Sequence, residues 1–337
     1  MTYNNSLVRQ QKVIVSLGAA IGSFVIGAML PLYSTLLEDV ALPDLPLNEV
    51  ESKVFEDSPS VQVAVRQQVD GFKNTLVQFQ KEKEKRLTFS APARFAGKTI
   101  SDVQLTGKQK FIALTFDDGP WPDTPAILEV LKKNKVKATF FVIGRHLQLY
   151  PDMARRVVAE GHAVGNHTWN HHYHRVDRAT AMKEIEDTSA LIYKITGAKT
   201  TLFRPPGGVL TNGLADYAMS QKMTVAMWSS DSQESSQPSQ GQLIKNVMGS
   251  VKSGGIVLMH DGGGERSVTL KSLPVIITEL KKQGYTFVTV PELLALKDRQ
   301  LKAAAAAKAK FTKPASVKVK SVPPGESLKS LPKSLRR

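Results

Sequence analysis

Apolar and polar positions alternate in distinct modes along the 337-residue chain. Between residues 110 and 296, short apolar runs at 111–116, 139–143, 163–167, 224–228, 255–259 and 285–288, and a shorter one at Phe203, predict strands. The intervening stretches repeat every three or four residues and predict helices over 124–134, 151–160, 177–195, 211–221, 239–252 and 267–283. Strand alternating with helix predicts a parallel sheet or an α/β barrel. Upstream, Val61, Val65, Val69, Phe72, Leu76 and Phe79 predict a helix over 61–86, either a membrane-proximal stalk or a helix packed on the main domain.

A different mode occupies residues 13–37, which carry no charge. Their apolar core, 13–30, closes at Pro31; as a helix it would measure about 27 Å, near the hydrocarbon thickness of a bilayer. Arg9 and Lys12 precede it and Glu38 and Asp39 follow. Positive charge on the N-terminal side keeps residues 1–12 in the cytoplasm and sends the rest of the chain outside. Residues 13–37 therefore read as an uncleaved transmembrane signal anchor. A cleaved signal peptide would have an unusually long apolar region and no small-x-small site after it. Residues 38–109 read as linker and stalk. After Leu296 the periodicity stops, and a polyalanine run at 303–307 leads into Lys, Pro and Ser; 297–337 reads as a basic disordered tail.

Charge alters the picture more than composition does. The net charge of +15 invites a nucleic-acid reading, but +10 of it lies in 297–337 and only +3 in 111–296. The tail has one aromatic, Phe311, so it offers no stacking series. Its expected partners are an anionic cell-wall polymer or lipid headgroups rather than nucleic acid. With no cysteine, disulfides are excluded and any metal site must use His and carboxylates.

In barrels and open α/β sheets, functional side chains collect at the C-terminal ends of strands. The first strand runs into Asp117-Asp118-Gly119-Pro120, two adjacent carboxylates that repel unless a cation or a hydrogen bond compensates; alone, this is also a turn sequence. The third leads to His167-Thr168-Trp169-Asn170-His171, whose two imidazoles would share one face of a helical turn, although five of the seven histidines crowd 162–174 and His172 and His174 are equally available. Phe203 precedes Arg204-Pro205-Pro206-Gly207-Gly208, a fixed charge on a rigid turn or an ordinary loop with a surface Arg. Another strand ends at His260-Asp261, a proton carrier or a structural histidine. Together the four strand ends deliver one carboxylate with two imidazoles, a second Asp, an Arg and a further His, a set suited to metal-assisted hydrolysis.

In this order the motifs Thr115–Pro120, His167–His171, Arg204–Gly208 and Leu258–Asp261 resemble the NodB-homology polysaccharide deacetylases, carbohydrate esterase family 4, over 110–296. The resemblance implies a distorted (β/α) barrel. It implies a divalent metal held by Asp118, His167 and His171, zinc before cobalt, nickel or iron. It implies Asp117 as general base, Arg204 orienting it, His260 as general acid and the Gly207 N–H toward the oxyanion. The implied reaction is hydrolysis of N-acetyl, or O-acetyl, groups on a sugar polymer such as peptidoglycan or chitin-like oligomers. Two positions depart from the pattern. The fourth motif, usually two acids and a Trp, reads Asp231-Ser232-Gln233-Glu234-Ser235, and Gly207 stands where many relatives have an aromatic. The alternative to a membrane-anchored, extracytoplasmic deacetylase is a polysaccharide-binding protein of the same fold with weak or no turnover.

Overall fold

The computed structural model describes residues 59–312, so the expected cytoplasmic segment 1–12, the anchor 13–37 and the acidic linker as far as residue 58 lie outside the described residues. Among the described residues no helix is long and apolar enough to cross a membrane. The chain divides into two compact units, Met1–Val77 and Gln78–Arg337. The described part of the first is the beginning of the helix Pro59–Arg86, whose last turns belong to the second.

The second unit is an α/β domain. Its strands are β1 (Thr88–Phe89), β2 (Thr99–Ile100), β3 (Lys110–Asp117), β4 (Thr139–Val142), β5 (Ala163–Asn166), β6 (Lys199–Thr200), β7 (Leu202–Phe203), β8 (Thr224–Ala226), β9 (Ser230–Asp231), β10 (Gly255–His260) and β11 (Tyr285–Phe287). Nine form one sheet in the order β2-β8-β7-β5-β4-β3-β10-β9, with β11 beside the start of β3, and every named pairing is parallel. Only Met227, Trp228 and Ser229 separate β8, the second strand from one end of the sheet, from β9 at the other end. The predicted helices are all present. Arg178–Thr196, for example, starts on Asp177, which accepts from the Thr180 N–H at 2.7 Å, and stops at Gly197 with φ 68°.

Alternation along β3 sorts the core. Ile112, Leu114 and Phe116 pack with Phe140, Val142, Val257 and Met259 under the helices. Ala113 faces the other way, with Phe141, Leu202, Ala226 and Ile256. Two and four residues further on, Thr115 and Asp117 stand on that same inner face. One end of the interior is thus apolar, and the other carries the polar strand ends. The β3–β10 register sets Asp117 opposite His260.

Two sequence expectations are corrected. Residues 88–109 are not a linker: β1 pairs with β6, β2 pairs with β8, and Phe95 and Val103 are buried in the inner cluster. Two-residue strands are too short to show a periodicity. Nor is the chain irregular from 297. The helix Val290–Thr312 anchors Val290, Leu293 and Leu294 in the inner cluster, Asp298 pairs with Arg94 at 2.5 Å, and the alanine run prolongs the helix through intrinsic propensity. Residues 313–337 lie outside the described residues.

Candidate active site

The centre forms where β3, β5, β7 and β10 end. Consecutive strand residues should point to opposite faces, yet both carboxylates of Asp117-Asp118 reach one site. Asp118 has φ 72°, a left-handed conformation that breaks the alternation and that Asp tolerates better than most residues. The backbone there is held closely: the Asp117 carbonyl accepts from Asp261 N–H at 3.0 Å, the Gly119 carbonyl from Ile143 N–H at 2.9 Å and the Asp118 carbonyl from His146 Nδ1 at 2.7 Å. Gly262 packs so tightly on this turn that a Cβ there would lie 2.2 Å from the Asp118 carbonyl oxygen.

His167 and His171 come together, but not on a helical turn. The segment between them is irregular, with Thr168 and His171 at φ 68° and 62°. Glu184, buried on the helix Arg178–Thr196, fixes it: Oε2 accepts from the N–H groups of Trp169 and Asn170 at 2.8 and 2.7 Å, and Oε1 accepts from Asn170 Nδ2 at 2.7 Å. Sequence reasoning passed over Glu184. Its signal was an acid among Ala181, Ile185, Thr188 and Ile192 on the buried helix face.

Oxygen Oδ1 of Asp118 lies 3.1 Å from His171 Nε2 and 3.4 Å from His167 Nε2, and one ligand atom from each residue falls within 4.8 Å of the others. His167 Nδ1 is 2.7 Å from the Arg204 carbonyl, which can only accept, so that nitrogen carries the proton and Nε2 presents its lone pair. Asp118 Oδ1 is buried and has no hydrogen-bond partner among the described residues. A carboxylate oxygen orphaned beside two imidazoles fits a divalent cation that takes one O and two N ligands.

Arg204 is fully buried beneath this trio. Its Nη1 donates to Asp117 Oδ1 and Thr115 Oγ1, both at 2.7 Å, and its Nε and Nη2 donate to the Ala226 and Met227 carbonyls at 2.7 and 3.1 Å. Its guanidinium lies 4.1 Å from the Phe141 ring centroid. Asp117 Oδ2 is left 3.8 Å from His167 Nε2.

Residues 104–226 match the polysaccharide deacetylase domain. A peptidoglycan-N-acetylglucosamine deacetylase of Bacillus cereus is 40% identical over 198 residues, which make up 58% of this chain and 92% of that protein. The chain belongs to the polysaccharide deacetylase family.

Peptidoglycan-N-acetylmuramic acid deacetylase PdaC of Bacillus subtilis is 41% identical over 195 residues, 57% of this chain but only 40% of that longer protein. Its solved structure aligns with a TM-score of 0.54 at 38% identity, covering 60% of this chain and 98% of that one. A pseudoenzyme of the same family from Bacillus anthracis aligns with a TM-score of 0.53 at 32% identity, covering 58% of this chain and 68% of that one.

Within this member of the family the degenerate fourth motif still supplies an acid. Glu234 Oε2 sits 2.5 Å from His260 Nδ1 and accepts from Ser232 Oγ at 2.8 Å, while Oε1 takes the Thr269 hydroxyl. Asp231 turns away, accepting from Trp228 Nε1 at 3.0 Å and Gln233 N–H at 2.7 Å. Burial alone would lower the His260 pKa, but the Glu234 carboxylate, with Asp117 and Asp118 behind it, raises it above the ordinary imidazole value. At Asp118 burial opposes ionisation, and the two imidazoles, when protonated, outweigh it and hold the carboxyl well below the usual range. Gly207 has φ 59° in the turn Pro206–Gly208.

Proposed function

We propose that this chain is a metal-dependent deacetylase of N-acetylated cell-wall glycan, working outside the cytoplasm and held to the membrane by residues 13–37. The observation that carries the reading is the Asp118–His167–His171 trio with its orphaned buried oxygen, set beside Asp117 and His260 on paired strands. The relatives named as peptidoglycan deacetylases support peptidoglycan as the polymer. The uncharged stretch and its flanking charges support the anchor.

Asp118, His167 and His171 would hold the cation, with zinc first among candidates for one carboxylate and two imidazoles. When bound, it supplies Lewis-acid polarisation of a water and of the acetyl carbonyl. Asp117, fixed through Oδ1 by Arg204, takes the proton of the attacking water on Oδ2. The Gly207 N–H stabilises the developing oxyanion. His260, with Nδ1 against Glu234, gives its proton to the departing amine, and acetate leaves.

A pseudoenzyme stands among the structural relatives, but in this chain Asp117, Asp118, His167, His171, Arg204 and His260 are all present and converge, which favours turnover. The test is acetate release by the purified full-length protein from peptidoglycan, chitooligosaccharides and acetylated xylan, with and without chelator. Chelator-sensitive release from peptidoglycan is expected. Release from none of the three would leave the non-catalytic reading.

A further inference from the structure

Tyr173 lies two residues beyond the ligand His171, and the residue is 59% exposed. The ring meets His171 edge to face, centroids 4.9 Å apart at 89°, so it stands at the open rim of the metal trio. Across from it is Gly207. A Cβ built there would come within 2.7 Å of the Tyr173 ring, and φ 59° at Gly207 already disfavours any side chain. The ring thus occupies the space that a side chain on the 206–208 turn would need. Its loop is also anchored: buried Asn212 donates from Nδ2 to the His172 carbonyl at 3.2 Å and accepts the Val176 N–H on its own carbonyl at 2.9 Å. The two bonds bracket Tyr173, so much of the ordering a bound ligand would require is already in place.

We infer that Tyr173 is a specificity-determining wall of the substrate site, on which the apolar C–H face of the acetylated pyranose stacks. The inference rests on the deacetylase reading and adds a residue to it. An exposed aromatic body beside the reacting centre, locked on both sides and given room by a glycine, offers a rigid flat surface at low entropic cost.

The test compares full-length, zinc-loaded wild type with Tyr173→Ala and Tyr173→Phe on two acetyl donors, tetra-N-acetylchitotetraose and 4-nitrophenyl acetate, which has no sugar ring. Tyr173→Ala should raise KM for the tetrasaccharide about 3–10-fold, as expected for one aromatic contact, and leave kcat within about twofold. Tyr173→Phe should behave as wild type. Neither variant should change the metal content, and the loss on the aryl ester should be smaller than the loss on the tetrasaccharide. An unchanged KM in the Ala variant would overturn the inference. So would equal losses on both donors with reduced metal content, which would make Tyr173 a buttress for His171, and so would a Phe variant resembling Ala. If wild type releases no acetate from the tetrasaccharide, from peptidoglycan or from acetylated xylan, the deacetylase reading fails separately. Calorimetric titration of the tetrasaccharide then decides on Tyr173: weaker binding by the Ala variant supports the wall, and equal or absent binding overturns it.

Discussion

Replacing Arg204 by Met would remove a fully buried cation whose aliphatic stem and guanidinium fill the space against Phe141. Met approximates the stem but donates nothing. Asp117, 3% exposed, loses its ion-pair partner, and the carbonyls of Ala226 and Met227 lose their donors. Removing one member of a buried pair typically costs about 3–5 kcal/mol, because the remaining charge is stranded. In a domain of this size that corresponds to a fall in Tm of about 6–20 °C. The assay is thermal or urea unfolding in chelator, so that metal binding does not add its own stabilisation. The discriminating variant is Arg204→Met combined with Asp117→Asn. With the stranded charge neutralised, the double variant should be more stable than the sum of the single losses predicts, by at least about 2 kcal/mol. Additivity within about 0.5 kcal/mol would refute the idea that the Arg204–Asp117 contact is an energetic unit.

Asp118→Asn should lose metal and activity together, with partial rescue by excess metal, whereas Asp117→Asn should keep its metal by elemental analysis and lose about 10²–10⁴ in rate. Opposite metal contents would reverse the two roles. His260 acts as an acid only while protonated, so activity declines as pH rises through its pKa in the folded protein. Glu234 raises that value, and Glu234→Gln should therefore move the alkaline limb of the pH–rate profile to lower pH. An unmoved limb would mean that another group governs it. A chain starting at residue 110 lacks β1, β2, Phe95 and Val103, and each lost core side chain costs about 2–5 kcal/mol, so it should be unfolded by circular dichroism. A chain ending at 302 loses the exposed alanines 303–307 but keeps Val290, Leu293 and Leu294, and should match the full-length Tm within about 1 °C.

Most of the longer predicted strands and all seven predicted helices were readable because each is long enough to show a period or is fully buried; β11, three residues long with Thr286 exposed, was legible from its aromatic and β-branched residues. β3, with its last six residues buried, reads as one apolar run. The four site motifs were readable because parallel strands deliver their C-terminal ends to one face. What stayed hidden depends on approach between distant parts of the chain. Nothing local says that Phe95 enters the inner cluster, or that Glu184 reaches across to hold the Trp169–Asn170 backbone. Glu234 was a visible candidate acid, but only the fold of 231–236 shows that it, rather than Asp231, meets His260. The pairing of His167 with His171 was foreseen for the wrong local reason, since left-handed residues rather than a helical turn bring the rings together.

The pairing of β3 with β10 has a consequence for how such a chain comes into being. Thr115 on the first long strand closes a hydrogen bond to Val257, 142 residues later. Until the last third of the domain has emerged, one flank of β3 has no neighbour, and its run from Phe111 to Phe116 is a sticky apolar edge. Closing so long a loop is entropically slow, and topologies dominated by distant pairings fold late and stay prone to aggregation meanwhile. A nascent chain stalled before residue 255 would therefore depend on other factors to keep that edge covered, and its half-made centre, holding Asp117 without His260, would be chemically silent for as long as it waited.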